Sequence, residues 1–193
     1  VPSLYLGFNL PSLASAESPG DAYALQLLSG VLDGGISARL ERDVVRKNQA
    51  AAIGSSYNVL ARGDTLLEVR AVPAAGQSLQ ALRTAILTVV YALRDELVSD
   101  DELKRVMANV RAQAVYARDD LDDQAQQLGQ LDALGLPLNW DDGVLAKLQA
   151  ITPKQLREVA RRYLQPERLA TLYLQLPGSP DKATGAQTQG VTP

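Results

Sequence analysis

Residues 20–46, GDAYALQLLSGVLDGGISARLERDVVR, predict two helices that are joined at a glycine pair. In the first helix, apolar side chains recur at spacings of three and four residues, so that one face is apolar. Asp21 lies near the start, where a negative charge favours the positive end of the helix dipole. Gly34 and Gly35 end the helix, because glycine adopts the left-handed conformation of helix ends without steric cost. The residues assigned to the apolar face are Ala22, Leu25, Leu28, Ser29 and Leu32.

A second helix is predicted to begin at Ser37, directly after the glycine pair. Leu40 and Val44 are one turn apart in this helix and are predicted to face inward. Its basic residues fall roughly on one side: Arg39, Arg42 and Arg46. One interpretation of the whole stretch is an ordinary helix pair with a solvated basic side.

The fold class follows from the order of the remaining elements. Leu4, Leu6, Phe8 and Leu10 alternate with smaller or polar residues, a pattern that is typical of a half-buried strand. Further strands are predicted over residues 50–60, 64–74 and 168–176, and further helices over 76–97, from Ser99, after Asn139 and from Thr152. Strand, helices, hairpin, helices and strand in this order predict an α+β fold, in which a layer of helices covers one side of a mostly antiparallel sheet.

The domain organisation is predicted from length and composition. A single α+β domain is expected over residues 1–176, because one domain of ordinary size accounts for a chain of 193 residues. Residues 177–193 contain almost no large apolar side chains and are expected to be a disordered tail. Four aspartates at 119, 120, 122 and 123 are interpreted as a solvated helix restart rather than a cation site, because they lack the glycine turn and the distant glutamate of a calcium loop.

Charge and hydropathy exclude several classes of partner. The net charge of −3, with acidic and basic residues interspersed, gives no broad positive face for a phosphate backbone, so we expect no nucleic-acid partner. No apolar run approaches the roughly 20 residues that a helix needs to cross a bilayer. We therefore expect no membrane span, and a soluble, mature piece.

Two residue types are absent, and their absence limits the chemistry of this chain. Without cysteine the chain has no disulfide, no thiolate nucleophile and no cysteine metal site. Without histidine it has no zinc site of the usual kind, no Ser-His triad and no imidazole base. We therefore predict no catalytic residue and no metal ligand in this segment.

The glycine pair and the residues after it form a pattern that resembles a known family. Gly34, Gly35, Ser37, Arg39 and Leu40, followed by Val45, Arg46 and Lys47, resemble the Gly-Gly-x-Ser-x-Arg-Leu and Leu-Arg-Glu elements of the pitrilysin, insulin-degrading enzyme and mitochondrial processing peptidase family of zinc metallopeptidases. Residues 99–110 and 151–174 resemble later elements of the same domain repeat, so the resemblance covers about residues 1–176. The family's domain has the predicted architecture and an additional first strand, and this chain is expected to begin just after that strand.

The resemblance implies a function that needs a second half. The family's catalytic signature is H-x-x-E-H, whose histidines bind zinc and whose glutamate activates water, and this chain cannot supply it. The implied role is that of the C-terminal, zinc-free domain, which closes on a catalytic half in the same chain or in a partner subunit and holds an extended peptide. The alternative is a non-catalytic binding or scaffold subunit beside a separate peptidase. Bacterial relatives of this type are often exported, which favours the periplasm over the cytoplasm.

Two residues are the candidate substrate contacts that the resemblance implies. Arg46 stands where the family has an arginine that, with a tyrosine seven residues later, reaches peptide carbonyls at the zinc. Here the position seven residues later is Ile53, and Tyr57 is the nearest tyrosine that follows. The open alternatives are a solvated helix arginine for Arg46 and an ordinary strand aromatic for Tyr57.

Overall fold

An antiparallel sheet forms one layer of the computed structural model, which describes residues 1–116 and 121–175. Its strands are β1 (Ser3–Leu10), β2 (Ala50–Tyr57), β3 (Thr65–Pro73) and β4 (Leu169–Leu174). Their order across the sheet is β2-β3-β1-β4, so that β2 and β4 are the edges within the described residues. The hairpin of β2 and β3 and the return of the last strand to the sheet confirm the sequence prediction.

One face of the sheet carries the core. Leu4, Leu6, Phe8 and Leu10 of β1 are all buried, as their alternation predicts. In the register with β3, Leu6 is opposite Val69 and Phe8 is opposite Leu67. On the other face Arg70 lies 5.3 Å over the ring of Tyr5. The sheet therefore has one buried face and one solvated face, as is common for antiparallel sheets.

Helices cover the buried face. They are α1 (Pro19–Asp33), α2 (Leu79–Asp95), α3 (Asp100–Tyr116), α4 (Leu121–Ala133), α5 (Asp141–Gln149) and α6 (Pro153–Tyr163). A short π-helical segment, Glu41–Val45, precedes β2, and a single 3₁₀ turn, Pro166–Arg168, precedes β4. Helices α1, α2 and α6 pack against the sheet, and α6 also packs against both α1 and α2. Helices α3 and α5 pack against α1. The predicted α+β class, with a helical layer against an antiparallel sheet, is confirmed.

Two helix starts form capping boxes, at Ser99 and Thr152, where the sequence predicts that helices begin. At α3, the amide of Glu102 donates to Ser99 Oγ at 3.2 Å, and the amide of Ser99 donates to Glu102 Oε2 at 2.9 Å. At α6, Thr152 and Gln155 exchange the same pair of bonds. Each box satisfies two backbone donors that a helix start leaves without intrahelical partners.

The start of α1 differs from the sequence expectation. Ser18 is the N-cap and Pro19 is the first helical residue. Asp21 lies in the first turn, but its carboxylate is buried and accepts hydrogen bonds from Arg162 at 2.7 Å and from the Tyr163 hydroxyl at 2.9 Å. The aspartate therefore joins α1 to α6, which sequence spacing alone does not reveal.

The second predicted helix is shorter than expected and changes its pitch. Leu40 and Val44 are fully buried, as predicted. Placing Arg39 on the same side as Arg42 and Arg46 is wrong, because Arg39 is buried and the other two are half-exposed. The π-helical hydrogen bonds span five residues instead of four, so the α-helical spacing rule fails across this segment.

Helix α5 is fixed to α1 through aromatic rings. Trp140, at the start of α5, lies at 6.3 Å from Tyr23 with nearly parallel rings. Lys147 lies over the same tyrosine ring at 5.7 Å. Such ring pairs add about 0.5–1.5 kcal/mol to the burial of their area.

Several predictions concern parts of the chain that the structure does not address. The tail at 177–193 and the aspartates at 119 and 120 lie outside the described residues. The single-domain boundary at residue 176 and the missing first strand stay predictions. In the part that is described, none of the helices is both long enough and apolar enough to pass through a bilayer.

Candidate functional site

Arg46 lies in the turn between the π-helical segment and β2. Its side chain is 55% exposed, and its Nε is 4.0 Å from Glu41 Oε1. Its guanidinium donates a hydrogen bond to the main-chain carbonyl of Ile36. The group is therefore accessible, charged and already bound to a peptide carbonyl of the chain itself.

The Ile36 carbonyl belongs to a loop of residues 34–38. The backbone of this loop requires glycine at positions 34 and 35. Gly35 has a φ of +113°, and a Cβ at Gly34 would lie 2.2 Å from the Gly30 carbonyl oxygen. Asn109 of α3 donates a side-chain hydrogen bond to the Gly34 carbonyl. Ile36 is held at the tip with 79% of its surface exposed, beside a cleft of about 320 Å³.

Arg39 fixes the other end of this loop to α3. Its guanidinium donates to both carboxylate oxygens of Glu102, at 2.8 and 3.1 Å, and Glu96 lies 3.8 Å away. Burial raises the pKa of Glu102, but hydrogen bonds from Arg39 and from the Ser99 amide more than offset it, so the pKa falls to about 2. The same carboxylate therefore caps α3 and pairs with Arg39.

We predict that this ion pair makes the domain less stable in acid. The pKa of Glu102 in the folded state lies below its ordinary value of 4.5, so its contribution is complete above about pH 4.5 and is lost as the pH falls towards 2. We expect a loss of about 1–2 kcal/mol, after allowance for solvent screening. Urea unfolding of Glu102→Gln and the unchanged chain at pH 6, 4 and 3 should show a smaller loss in the variant. Asp101→Asn, an exposed neighbour, should behave like the unchanged chain.

Tyr57 lies at the far end of β2 from Arg46. Its hydroxyl donates to the Pro11 carbonyl at 2.6 Å, and its half-buried ring packs on the core. Burial raises the pKa of this hydroxyl, so it stays protonated and acts as a donor. Tyr57 lines a cleft together with Gly34 and Gly35, and Arg46 bonds to the carbonyl of Ile36, the residue after Gly35. The two side chains therefore bond to different carbonyls but border the same loop.

Ile53 occupies the position that the family pattern gives to tyrosine. It is paired with Ala71 of β3, shares a sheet face with Tyr57 and packs against the core. An aliphatic side chain there offers no hydrogen bond, so the second half of the family's substrate pair is missing at this position.

A polar cleft of about 440 Å³ lies between α1, α3 and the end of β2, and of the two substrate contacts that the sequence predicts, Tyr57 lines it and Arg46 does not. We call it the amide cleft and define it by five of its lining residues: Gln26, Ser29, Asp33, Asn109 and Gln113. Asp33 Oδ2 accepts a hydrogen bond from the Ser55 amide at 2.5 Å. The residues from α1 recur at spacings of three and four, which could have indicated a polar face, but Ser29 was assigned to the apolar one.

The donor atoms of this region do not fit zinc. The chain has neither histidine nor cysteine, and the α1 residues in the cleft offer an amide, a hydroxyl and one carboxylate. Over residues 1–116 and 121–175, no three acidic, histidine or cysteine side chains are grouped so that they could hold a metal ion.

Comparison with known proteins identifies what the chain is similar to. The family model described as the peptidase M16 inactive domain matches residues 1–110. Among solved structures, a protease from Helicobacter pylori has a TM-score of 0.80 and 20% identity over 91% of this chain and 41% of its own. The inactive peptidase domain of a candidate zinc protease from Bordetella parapertussis has a TM-score of 0.80 and 16% identity over 95% of both chains.

Coverage differs among these relatives. A candidate zinc protease from Bordetella pertussis matches with a TM-score of 0.77 and 16% identity, over 91% of this chain and 94% of its own. The chain spans about two-fifths of the length of the Helicobacter pylori protease. No curated protein matches in sequence. At these identities the structural likeness shows a shared fold.

Proposed function

The chain belongs to the peptidase M16 inactive-domain family, and from that premise we propose that it is the non-catalytic half of a zinc metallopeptidase. It closes on a half that carries H-x-x-E-H and zinc, in the same chain or in a partner subunit. An extended peptide substrate is then held, or clamped, between this chain and the catalytic half. Catalysis then needs both halves, because this chain supplies no zinc ligand.

The exposure and the hydrogen bond of the Arg46 guanidinium support the clamp. This group is half-exposed and already donates to a main-chain carbonyl. An extended peptide offers the same acceptor at every residue, so Arg46 can exchange the Ile36 carbonyl for a substrate carbonyl. Charge makes such a bond stronger than a neutral one.

Tyr57 is the second proposed substrate contact and is less accessible. Its hydroxyl would have to leave the Pro11 carbonyl before it could donate to a peptide. Because it lines a cleft that Arg46 does not line, it would contact a different part of an extended peptide. The two residues therefore act independently in this proposal.

A scaffold role beside a separate peptidase is the second candidate. Ile53, in place of the family tyrosine, and the internal hydrogen bond of Tyr57 favour it, because both reduce the polar groups available to a substrate. In this role the chain would bind a catalytic subunit through its surface without contacting the peptide.

Reconstitution separates the two functions. The chain should be purified alone, together with the H-x-x-E-H half encoded beside it, and compared with that half alone. We expect peptide hydrolysis from the combined halves only, sensitive to a chelator, with zinc in the catalytic half. Hydrolysis that is unaffected by this chain would contradict the clamp, and complex formation without any effect on hydrolysis would favour the scaffold.

We also propose a periplasmic location, which rests on the export of bacterial relatives. Fractionation of cells that produce the natural protein, with marker enzymes for each compartment, tests it. Recovery with cytoplasmic markers would contradict this proposal and would leave the clamp unaffected.

A further inference from the structure

The amide cleft brings several uncharged polar side chains together. Three carboxamides, from Gln26, Asn109 and Gln113, converge from α1 and α3. Among the described residues of the lining, Asp33 is the one that carries a charge, and its carboxylate already accepts a hydrogen bond from the Ser55 amide. A lining that is almost entirely neutral, yet rich in donors and acceptors, suits an uncharged ligand that both donates and accepts.

Gln26 carries a hydrogen-bond acceptor that has no partner among the described residues. This atom, Oε1, is buried. Burying an oxygen in this way costs stability, and such groups in folded proteins need an explanation. Gln26 lines the cleft, and rotation of its carboxamide would turn this oxygen towards the space, where a ligand that donates a hydrogen bond would supply the missing partner.

The walls of the cleft are fixed by close helix packing. At its side, α1 and α3 approach so closely that a Cβ at Gly30 would lie 2.7 Å from Val106 Cγ1. Asn109 is held in place by its bond to the Gly34 carbonyl. The volume of about 440 Å³ falls within the range of ordinary ligand clefts. The cleft is therefore a preformed space.

From these observations we propose that the amide cleft binds an amide group of a polypeptide. An amide carries one donor and one acceptor side by side, which matches Gln26 Oε1 on one side and the carboxamide donors of α3 on the other. The group can come from a main chain or from an asparagine or glutamine side chain. This inference rests on the proposed function in taking a polypeptide as ligand, and it shares Tyr57, which lines the cleft, whereas Arg46 does not line it.

Nuclear magnetic resonance titration of the full chain tests the proposal with two small probes. N-acetylalanine N-methylamide carries main-chain amides only, and N-acetylglutamine N-methylamide adds a side-chain carboxamide. We expect saturable shifts at residues 26, 29, 109 and 113 at millimolar concentrations. Equal affinity for both probes assigns the site to the main chain, and a preference of at least fivefold for the second assigns it to the side chain.

Variants make the test decisive. Gln26→Leu and Gln113→Ala should each weaken binding at least fivefold, and Gln26→Leu should leave the melting temperature unchanged or higher. Gln126→Leu, on an exposed position of α4, should bind like the unchanged chain. Absence of saturable shifts at the cleft, or full binding by both cleft variants, would overturn the inference. Arg46→Ala should retain probe binding, so a failed clamp and a failed cleft give different results.

Discussion

Leu28→Asp is expected to prevent the domain from folding. Leu28 lies in α1, is only 1% exposed and belongs to the hydrophobic core between the helices and the sheet. An unpaired carboxylate in that position would cost roughly 5 kcal/mol or more. Domains of this size are stable by only about 5–15 kcal/mol. Far-ultraviolet circular dichroism and thermal melting should show a chain without a cooperative transition.

Leu128→Asp is the matched control for this substitution. Leu128 lies on α4 with 46% of its surface exposed, so the same chemical change leaves the carboxylate in water. We expect its melting temperature to stay within a few degrees of that of the unchanged chain. Native-like melting of Leu28→Asp would mean that α1 does not pack as described.

Arg46→Ala is expected to lower peptide turnover by the reassembled halves by roughly tenfold to a hundredfold in kcat/KM. A charged hydrogen bond to a substrate carbonyl contributes on the order of 1.5–3 kcal/mol, and its loss appears directly in that ratio. Zinc content should stay the same. The melting temperature should fall little, since the lost bond to Ile36 lies at the surface.

Arg42→Ala is the control for the clamp. Arg42 is half-exposed like Arg46, but its guanidinium is paired with Asp43 at 2.6 Å. That neighbouring carboxylate raises the pKa of Arg42 through their hydrogen bond. We expect turnover by this variant to change less than twofold. Small and equal effects of both substitutions would identify Arg46 as a solvated helix arginine.

Local patterns in the sequence were sufficient to predict most of the fold. The alternation from Leu4 to Leu10 and the boxes at Ser99 and Thr152 involve residues at most six positions apart. Strand periodicity and capping are governed by such neighbours. The glycine pair ends α1 for the same local reason, and it also carries the family pattern.

Contacts between distant residues could not be predicted in the same way. Arg39 is paired with Glu102, 63 residues away, and Asp21 is paired with Arg162, 141 residues away. Nothing in the local spacing distinguishes these charges from solvated ones. The π-helical segment adds a change of pitch, so even the side on which Arg39 lies was assigned incorrectly.

The candidate site was predicted only in part for a related reason. The sequence selects Arg46 through the family pattern, but it does not show that the guanidinium bonds the Ile36 carbonyl. The amide cleft combines α1 with α3, so its lining becomes apparent only when both helices are placed. Gln26 and Gln113 are 87 positions apart in the sequence and have no motif in common.

The stacking of Trp140 on Tyr23 gives the chain a built-in optical reporter. The chain has one tryptophan, so its fluorescence comes from a single known place, the contact between α1 and α5. Gln26, one turn along α1 from Tyr23, lines the amide cleft, and a ligand that shifts this helix would change the emission. Docking of a catalytic half could therefore be followed in real time without any attached dye.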